Sequence, residues 1–221
     1  MKQVSLRFGC VLIFICLSLG GCISISNTPS PRFYSLIALD KGQAVKQYHV
    51  PAGFTIGVGP VKIPEFLNRP QIVTMNKKRM LEFAEFDRWG EGLDFAFVRL
   101  MNEDLTLMMP DATIEMYPWN LNIAITYQVV VNVIALESRL DQDMLLIVQW
   151  TIIDQKNKKA IFTKRSELRQ VIEPHSYLGL VKSLSAACAV LSEEVAAELS
   201  LLAAEYQAAE VEPQEKSHLP S

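Results

Sequence analysis

The chain has 221 residues, of which 50% are hydrophobic and 20% charged, and its formal net charge is −3. This composition excludes a collagen-like, disulfide-rich or wholly disordered protein and allows one sizeable domain with its own core. Residues 1–21 carry only the positive charges of Lys2 and Arg7, which leaves 19 basic and 24 acidic residues in the rest of the chain, a net charge of −5. Such an acidic chain is a poor candidate for binding nucleic acid, which needs clustered positive charge.

The N-terminus has the pattern of a secretory signal. An uncharged apolar run of 12 residues, Phe8–Leu19, follows the basic residues, and it is shorter than the roughly 20 apolar residues of a membrane-spanning helix. The string Leu19-Gly20-Gly21-Cys22 comes next and resembles the lipobox of bacterial lipoproteins. Its small residues let a signal peptidase approach the backbone, and the Cys22 thiol accepts a diacylglyceryl group. We predict a lipoprotein signal peptide at 1–21 and lipidation of Cys22, rather than an ordinary signal or an uncleaved anchor.

Lipidation at Cys22 predicts permanent attachment to a membrane, because two or more acyl chains hold a protein firmly. Ile23 stands where an Asp usually retains a lipoprotein at the inner membrane of enteric-type bacteria, so the outer membrane, on its periplasmic face, is the expected location. Cys10 and Cys16 leave with the signal, and the remaining thiol, Cys188, has no cysteine with which to form an internal disulfide. We expect Cys188 to be a small buried residue of a helix, in preference to a catalytic thiol.

Residues 22–31 are expected to form a lipidated flexible tether, because they are polar and contain proline. Two strands are predicted next, at Arg32–Leu39 and Phe54–Val61. The runs Gln71–Met75 and Met80–Phe86 flank the polar string Asn76-Lys77-Lys78-Arg79 and predict a β-hairpin.

A helix is predicted over Gly90–Met109, where apolar residues recur every three or four positions until Pro110. A short strand at Thr113–Tyr117 follows. Three longer strands then predict an antiparallel meander, and they are placed at Ile125–Glu137, Met144–Ile153 and Ala160–Val171. In the first, apolar residues at odd positions from 125 to 133 share one face. In the last, an outward series is expected at Thr163, Arg165, Glu167 and Arg169.

A long helix follows Pro174, and its single apolar stripe is better explained by packing on the sheet than by binding a partner. Residues 206–221 are polar and are predicted to be a disordered tail. The order of strands, helix, strands, helix predicts one domain over 32–205. We expect a two-layer mixed α/β fold with a largely antiparallel sheet packed by two main helices.

Motifs for catalysis or cofactor binding are missing from the sequence. The three histidines have no partners at metal-ligand spacing, and Gly57-Val58-Gly59 fails the dinucleotide fingerprint. We therefore expect no cofactor and no enzymatic activity. Glu85 and Asp87 are nevertheless two positions apart on a predicted strand and should face the same way, so they could form an acid–base pair if their pKa values were split.

A structural corner is the favoured explanation of the string Glu85-Phe86-Asp87-Arg88-Trp89. In this interpretation Trp89 packs as an anchor, while Asp87 and Arg88 pair with each other or cap the following helix. Arg69-Pro70-Gln71 is interpreted in the same way, as a turn that leads into a strand.

Four further strings stand out besides the lipobox and Glu85–Trp89: Phe33-Tyr34-Ser35-Leu36, Ile56–Val61, Asn68–Val73 and Tyr117-Pro118-Trp119. Together these strings resemble the family of ABC-type transport auxiliary lipoproteins, the PqiC-like family, over roughly residues 22–200. The hairpin turn after Thr74 is more basic than the family leads us to expect.

The resemblance implies a non-catalytic docking subunit of a trans-envelope system that moves lipids through MCE-type conduits and supports envelope integrity. It also implies an MCE-type periplasmic partner and a possible homo-oligomer. Arg69, Pro70, Glu85, Asp87, Arg88 and Trp89 are then candidates for partner binding as well as for the structural corner. The alternatives are an envelope-modifying enzyme that uses Glu85 and Asp87, and a stand-alone structural lipoprotein.

Overall fold

A computed structural model of the chain describes residues 29–40, 42 and 45–216, with side chains described as far as residue 207. The chain divides into two units, Met1–Ser30 and Pro31–Ser221, and the described strands and helices all belong to the second. The expected signal peptide, the Cys22 site and the tether as far as residue 28 lie outside the described residues.

The second unit contains strands and two α-helices, numbered here in chain order. The strands are β1 (Arg32–Tyr34), β2 (Thr55–Lys62), β3 (Gln71–Met75), β4 (Leu81–Trp89), β5 (Thr113–Met116), β6 (Tyr127–Ser138), β7 (Asp143–Asp154) and β8 (Lys159–Val171). The helices are α1 (Leu93–Met108) and α2 (Tyr177–Lys216), and a short 3₁₀ helix spans Glu65–Leu67. The α/β class is confirmed, with two mixed sheets in place of one largely antiparallel sheet.

The larger sheet has the strand order β5-β2-β6-β7-β8. The predicted antiparallel meander β6-β7-β8 is confirmed, and β2 runs parallel to both β5 and β6. The alternation along β6 is also confirmed, because Tyr127, Val129, Val131 and Val133 are all buried. On the edge strand β8 the predicted outward residues Thr163, Arg165, Glu167 and Arg169 are exposed.

The smaller sheet has the order β1-β4-β3 and includes the predicted hairpin. Strand β1 runs parallel to β4 and is only three residues long, whereas the sequence predicts a strand as far as Leu39. After Tyr34, backbone N–H groups donate hydrogen bonds to side chains of the two helices instead of to a neighbouring strand. The Ile37 N–H donates to Ser185 Oγ on α2 at 3.0 Å, and the Leu39 N–H donates to Asp104 Oδ1 on α1 at 2.8 Å.

Both helices bury the apolar faces that the sequence predicts. On α1 these residues are Leu93, Phe97, Leu100, Leu105 and Met108, and on α2 they are Leu180, Val181, Leu184, Cys188, Leu191, Val195 and Leu199. Cys188 is fully buried, as predicted, and burial together with the nearby Asp104 raises the pKa of its thiol. Helix α2 continues to Lys216, so the tail expected from residue 206 begins within this helix.

Within the described residues, no helix combines the length and the apolar character needed to cross a membrane.

Candidate functional site

The end of β4 brings together two strings that are distant in the sequence. The Trp89 N–H donates to the Pro70 carbonyl oxygen at 2.7 Å, and the Gly90 N–H donates to the Tyr34 carbonyl oxygen at 2.7 Å. These bonds join β1, the turn before β3 and the start of α1 at one corner. A cleft of about 280 Å³ opens there, and it is lined by Asn68, Arg69, Pro70, Trp89, Gly90, Glu91 and Gly92.

Arg69 contributes a positive charge to one wall of this corner cleft. The Arg69 guanidinium stacks over the Phe83 ring, with its carbon 4.4 Å from the ring centroid, a cation–π arrangement that holds the charge in place. The Phe83 ring remains 48% exposed, whereas Trp89 is buried in the core. Arg69 therefore places a positive charge at the cleft, and the exposed ring on which it stacks lies outside the cleft lining.

The other wall carries a carboxylate held by α1. Arg99 Nη2 donates to Glu91 Oε1 at 2.7 Å and to the Leu36 carbonyl oxygen at 3.0 Å, while Nη1 donates to Glu103 Oε1 at 3.1 Å. The hydrogen bond from Arg99 outweighs partial burial and lowers the pKa of Glu91, so Glu91 is ionised at neutral pH and its charge is paired with the Arg99 guanidinium. The motifs of the sequence do not point to Arg99, and the available signal is the helical spacing of Arg99 and Glu103, four residues apart.

Asp87 lies beneath the corner and pairs with β1. It is 4% exposed and accepts hydrogen bonds from Arg32 Nε at 2.8 Å, Arg32 Nη2 at 2.7 Å and the Tyr34 hydroxyl at 2.7 Å. Burial acts to raise the pKa of Asp87, but the hydrogen bonds from Arg32 and Tyr34 and the charge of Arg32 lower it. Asp87 is therefore ionised, and its carboxylate is bound by Arg32 and Tyr34.

The expectation that Asp87 and Arg88 pair with each other or cap the helix is wrong. Asp87 binds residues of β1, and the capping position of α1 is Gly92, which makes no side-chain capping bond. Arg88 Nε is buried and has no hydrogen-bond partner among the described residues. The pairing of β1 with β4 joins residues 55 positions apart, a separation that local sequence patterns do not predict.

Glu85 and Asp87 do not face the same way, contrary to the expectation from strand alternation. The register of β3 against β4 shifts between Gln71/Arg88 and Val73/Phe83, and such an irregularity interrupts the alternation of side chains. Glu85 is consequently exposed while Asp87 is buried. A general acid needs a raised pKa, and the pKa of Asp87 is lowered; moreover, neither carboxylate lines the corner cleft. The geometry thus gives no support to this acid–base pair.

Three of the six candidate residues, Arg69, Pro70 and Trp89, line the corner cleft, whereas Glu85, Asp87 and Arg88 do not. Among the residues that the structure describes, no group of three or more His, Cys, Asp and Glu side chains could hold a metal ion. The cleft therefore combines the exposed Arg69 with the ion-paired carboxylate of Glu91.

Comparison with known proteins gives a match to one family and to solved structures. The model of the family described as "ABC-type transport auxiliary lipoprotein component" matches residues 34–196. The crystal structure of a protein without an assigned function is similar at 17% identity, covering 77% of this chain and 99% of that one, with a TM-score of 0.63.

A second similar structure is that of a Xanthomonas campestris protein of the DUF330 family. It is 10% identical, the alignment covers 80% of this chain and 99% of that one, and the TM-score is 0.58. At these identities the solved structures establish the fold alone. No match was found among curated proteins.

Proposed function

The chain belongs to the family of ABC-type transport auxiliary lipoprotein components, and we propose that it is the non-catalytic docking subunit of an MCE-type intermembrane lipid transport system. In this role the lipidated Cys22 holds the protein on the periplasmic face of the outer membrane. The folded unit receives the far end of an MCE-type conduit, and the assembled system supports envelope integrity.

The corner cleft is the observation that carries the docking role. Two strings by which the sequence resembles the family, Asn68–Val73 and Glu85–Trp89, meet there through the Trp89–Pro70 backbone bond. The cleft presents the fixed guanidinium of Arg69 on one side and the Arg99-bound carboxylate of Glu91 on the other. Charges held in place before association favour binding a complementary partner.

The location rests on the N-terminal sequence. Gly20-Gly21-Cys22 has the residues that lipidation requires, and Ile23 favours sorting to the outer membrane. Membership of the lipoprotein family is consistent with this anchor.

Association of several copies on the membrane is part of the proposal, and native mass spectrometry of the detergent-extracted protein tests it by counting the chains in each particle.

Site-specific photo-crosslinking in living cells tests the docking role. A photoreactive amino acid at Asn68, on the cleft rim, is expected to crosslink to an MCE-type protein that mass spectrometry then identifies. The same amino acid at Lys156, in the turn after β7, is the control position, because Lys156 is exposed and does not line the cleft.

Charge-reversing substitutions test whether Arg69 contributes to the contact with the partner. Arg69→Glu is expected to abolish the crosslink from Asn68, whereas Lys156→Glu, which makes the same change of charge, should leave it intact. Equal crosslinking from Asn68 and Lys156, or capture of no transport protein from either, would contradict the docking role. The second result would favour a stand-alone structural lipoprotein.

A further inference from the structure

The direction of β1 shows from which side the polypeptide reaches the folded unit. Strand β1 is parallel to β4, with Arg32 beside Asp87 and Tyr34 beside Trp89. The chain therefore arrives at Arg32 from the end of the sheet at which β4 begins. That end carries the turn of the β3–β4 hairpin, so the start of β1 and this turn lie toward the same end of the smaller sheet.

The hairpin turn combines exposed apolar side chains with cations. Residues 76–81, called here the hairpin tip, include Met80 and Leu81, which are 54% and 40% exposed. Lys77 Nζ lies 3.2 Å from Asp141, and Arg79 Nη2 lies 3.6 Å from Glu137, so these two charges are largely compensated.

Lys78 has no acidic partner among the described residues. An exposed pair of large apolar side chains beside a free lysine is the combination by which proteins attach to the boundary between lipid headgroups and acyl chains.

The lengths of the expected tether and of the hairpin allow the tip to reach the membrane. Arg88 lies opposite Gln71 and Leu81 lies opposite Met75, and these four positions of β3 place the start of the tip about 13 Å beyond the level of Arg88 at 3.3 Å per residue. Ten positions separate Cys22 from Arg32, which allow a span of at most about 35 Å and an average span of about 17 Å for a flexible chain. The distance to the tip lies within this span, so a lipid at Cys22 leaves the hairpin tip within reach of the bilayer.

We propose that the hairpin tip rests on the lipid surface of the membrane that holds the anchor. Met80 and Leu81 enter the headgroup region, and the Lys78 ammonium lies among lipid phosphates. This inference rests on the lipid anchor of the proposed function. The contact fixes the orientation of the unit. Asp141, in the turn before β7, lies beside the tip, so the other end of β7 and the turn between β7 and β8 lie away from the membrane.

Depth-dependent fluorescence quenching tests the contact on the full lipidated chain. The protein is reconstituted into vesicles of phosphatidylethanolamine and phosphatidylglycerol, and an environment-sensitive fluorophore is attached at Lys78→Cys or, as the control, at Lys156→Cys. The two turns are closely matched, since the Lys78 N–H donates to Asn76 Oδ1 and the Lys156 N–H donates to Asp154 Oδ1. Buried Cys188 does not compete for the label.

We expect quenchers carried on the lipid chains to quench the label at position 78 and to leave the label at position 156 bright. Adding Met80→Ser and Leu81→Ser to Lys78→Cys should lower the equilibrium constant for tip contact about tenfold, while flotation with the vesicles stays unchanged because the anchor is intact. A floating protein with equal quenching at both turns, or with quenching that survives the serine substitutions, would overturn the contact alone. A protein that does not float would overturn the anchor on which both proposals rest.

Discussion

Replacing Asp87 with alanine tests whether its buried carboxylate holds β1 on β4. Arg32 donates two hydrogen bonds to Asp87, but its side chain is 66% exposed, so this pair is screened by solvent and adds little. The bond from the Tyr34 hydroxyl, 2.7 Å long, is better sheltered, and a hydrogen bond to a charged group contributes about 1.5–3 kcal/mol. We expect Asp87→Ala to lower the free energy of unfolding by about 2 kcal/mol and the thermal midpoint by about 4–8 °C.

Urea unfolding followed by tryptophan fluorescence measures this change in the detergent-solubilised full chain. Tyr34→Phe removes the hydroxyl alone and should reproduce most of the loss. Glu85→Ala is the matched control, because Glu85 is an exposed carboxylate of the same strand, and its effect should stay within about 0.5 kcal/mol. Equal losses for Asp87→Ala and Glu85→Ala would refute the role given to the buried carboxylate.

The effect of Asp87→Ala depends on pH in a defined direction. The pKa of Asp87 in the folded protein is lowered from its ordinary value of 3.8, mainly by hydrogen bonds from Arg32 and Tyr34 acting against burial. Its stabilising contribution is therefore complete above about pH 4 and is lost as the pH falls through the lower folded-state pKa. The difference between the wild type and Asp87→Ala should be constant from neutral pH to about pH 5 and shrink below pH 4. A difference that grew on acidification would contradict this assignment.

Cys22→Ser should abolish incorporation of labelled palmitate and release the protein from the membrane fraction, whereas Cys188→Ser should change neither; equal labelling of the two variants would contradict the lipid site. The Cys188 thiol, fully buried, should resist a maleimide in the native protein and react in urea, and rapid native labelling would contradict its burial. Gly179→Ala would place a Cβ 1.9 Å from the Pro174 carbonyl oxygen and should cost about 1–3 kcal/mol in urea unfolding. Gly90→Ala, whose Cβ would meet an ordinary contact at 3.4 Å, should cost less, and the reverse order would be evidence against the close packing of Pro174 on the first turn of α2.

The repeating elements were predictable because burial imposes a period on the sequence. A half-buried strand alternates with a period of two residues, and a packed helix buries a stripe at a spacing of three and four. Strand β6 and both helices follow these rules, so their positions and inner faces were predicted from the sequence. The hairpin β3–β4 was also predicted, because its polar turn stands between two apolar runs.

Contacts between distant parts of the chain were not predictable in this way. Strand β1 was predicted too long, since backbone groups after Tyr34 bind Ser185 and Asp104 on the helices. The irregular pairing of β3 with β4 separated Glu85 from Asp87, although simple alternation placed them together. The role of Arg99, which bonds Glu91 and the Leu36 carbonyl oxygen, depends on three segments meeting at the corner.

The sequence by itself determined the lipobox with its candidate anchor Cys22, the α/β class and the order of the elements, because each is written in local composition and short-range periodicity. The tertiary structure alone decided which of the candidate residues share a cleft, which carboxylate is buried and at which end of the smaller sheet the chain enters β1. These properties depend on pairing between residues tens of positions apart. Local sequence patterns do not predict which strands will be neighbours in a sheet. The cleft therefore depends on the tertiary structure, whereas the candidate anchor is predicted from the sequence alone.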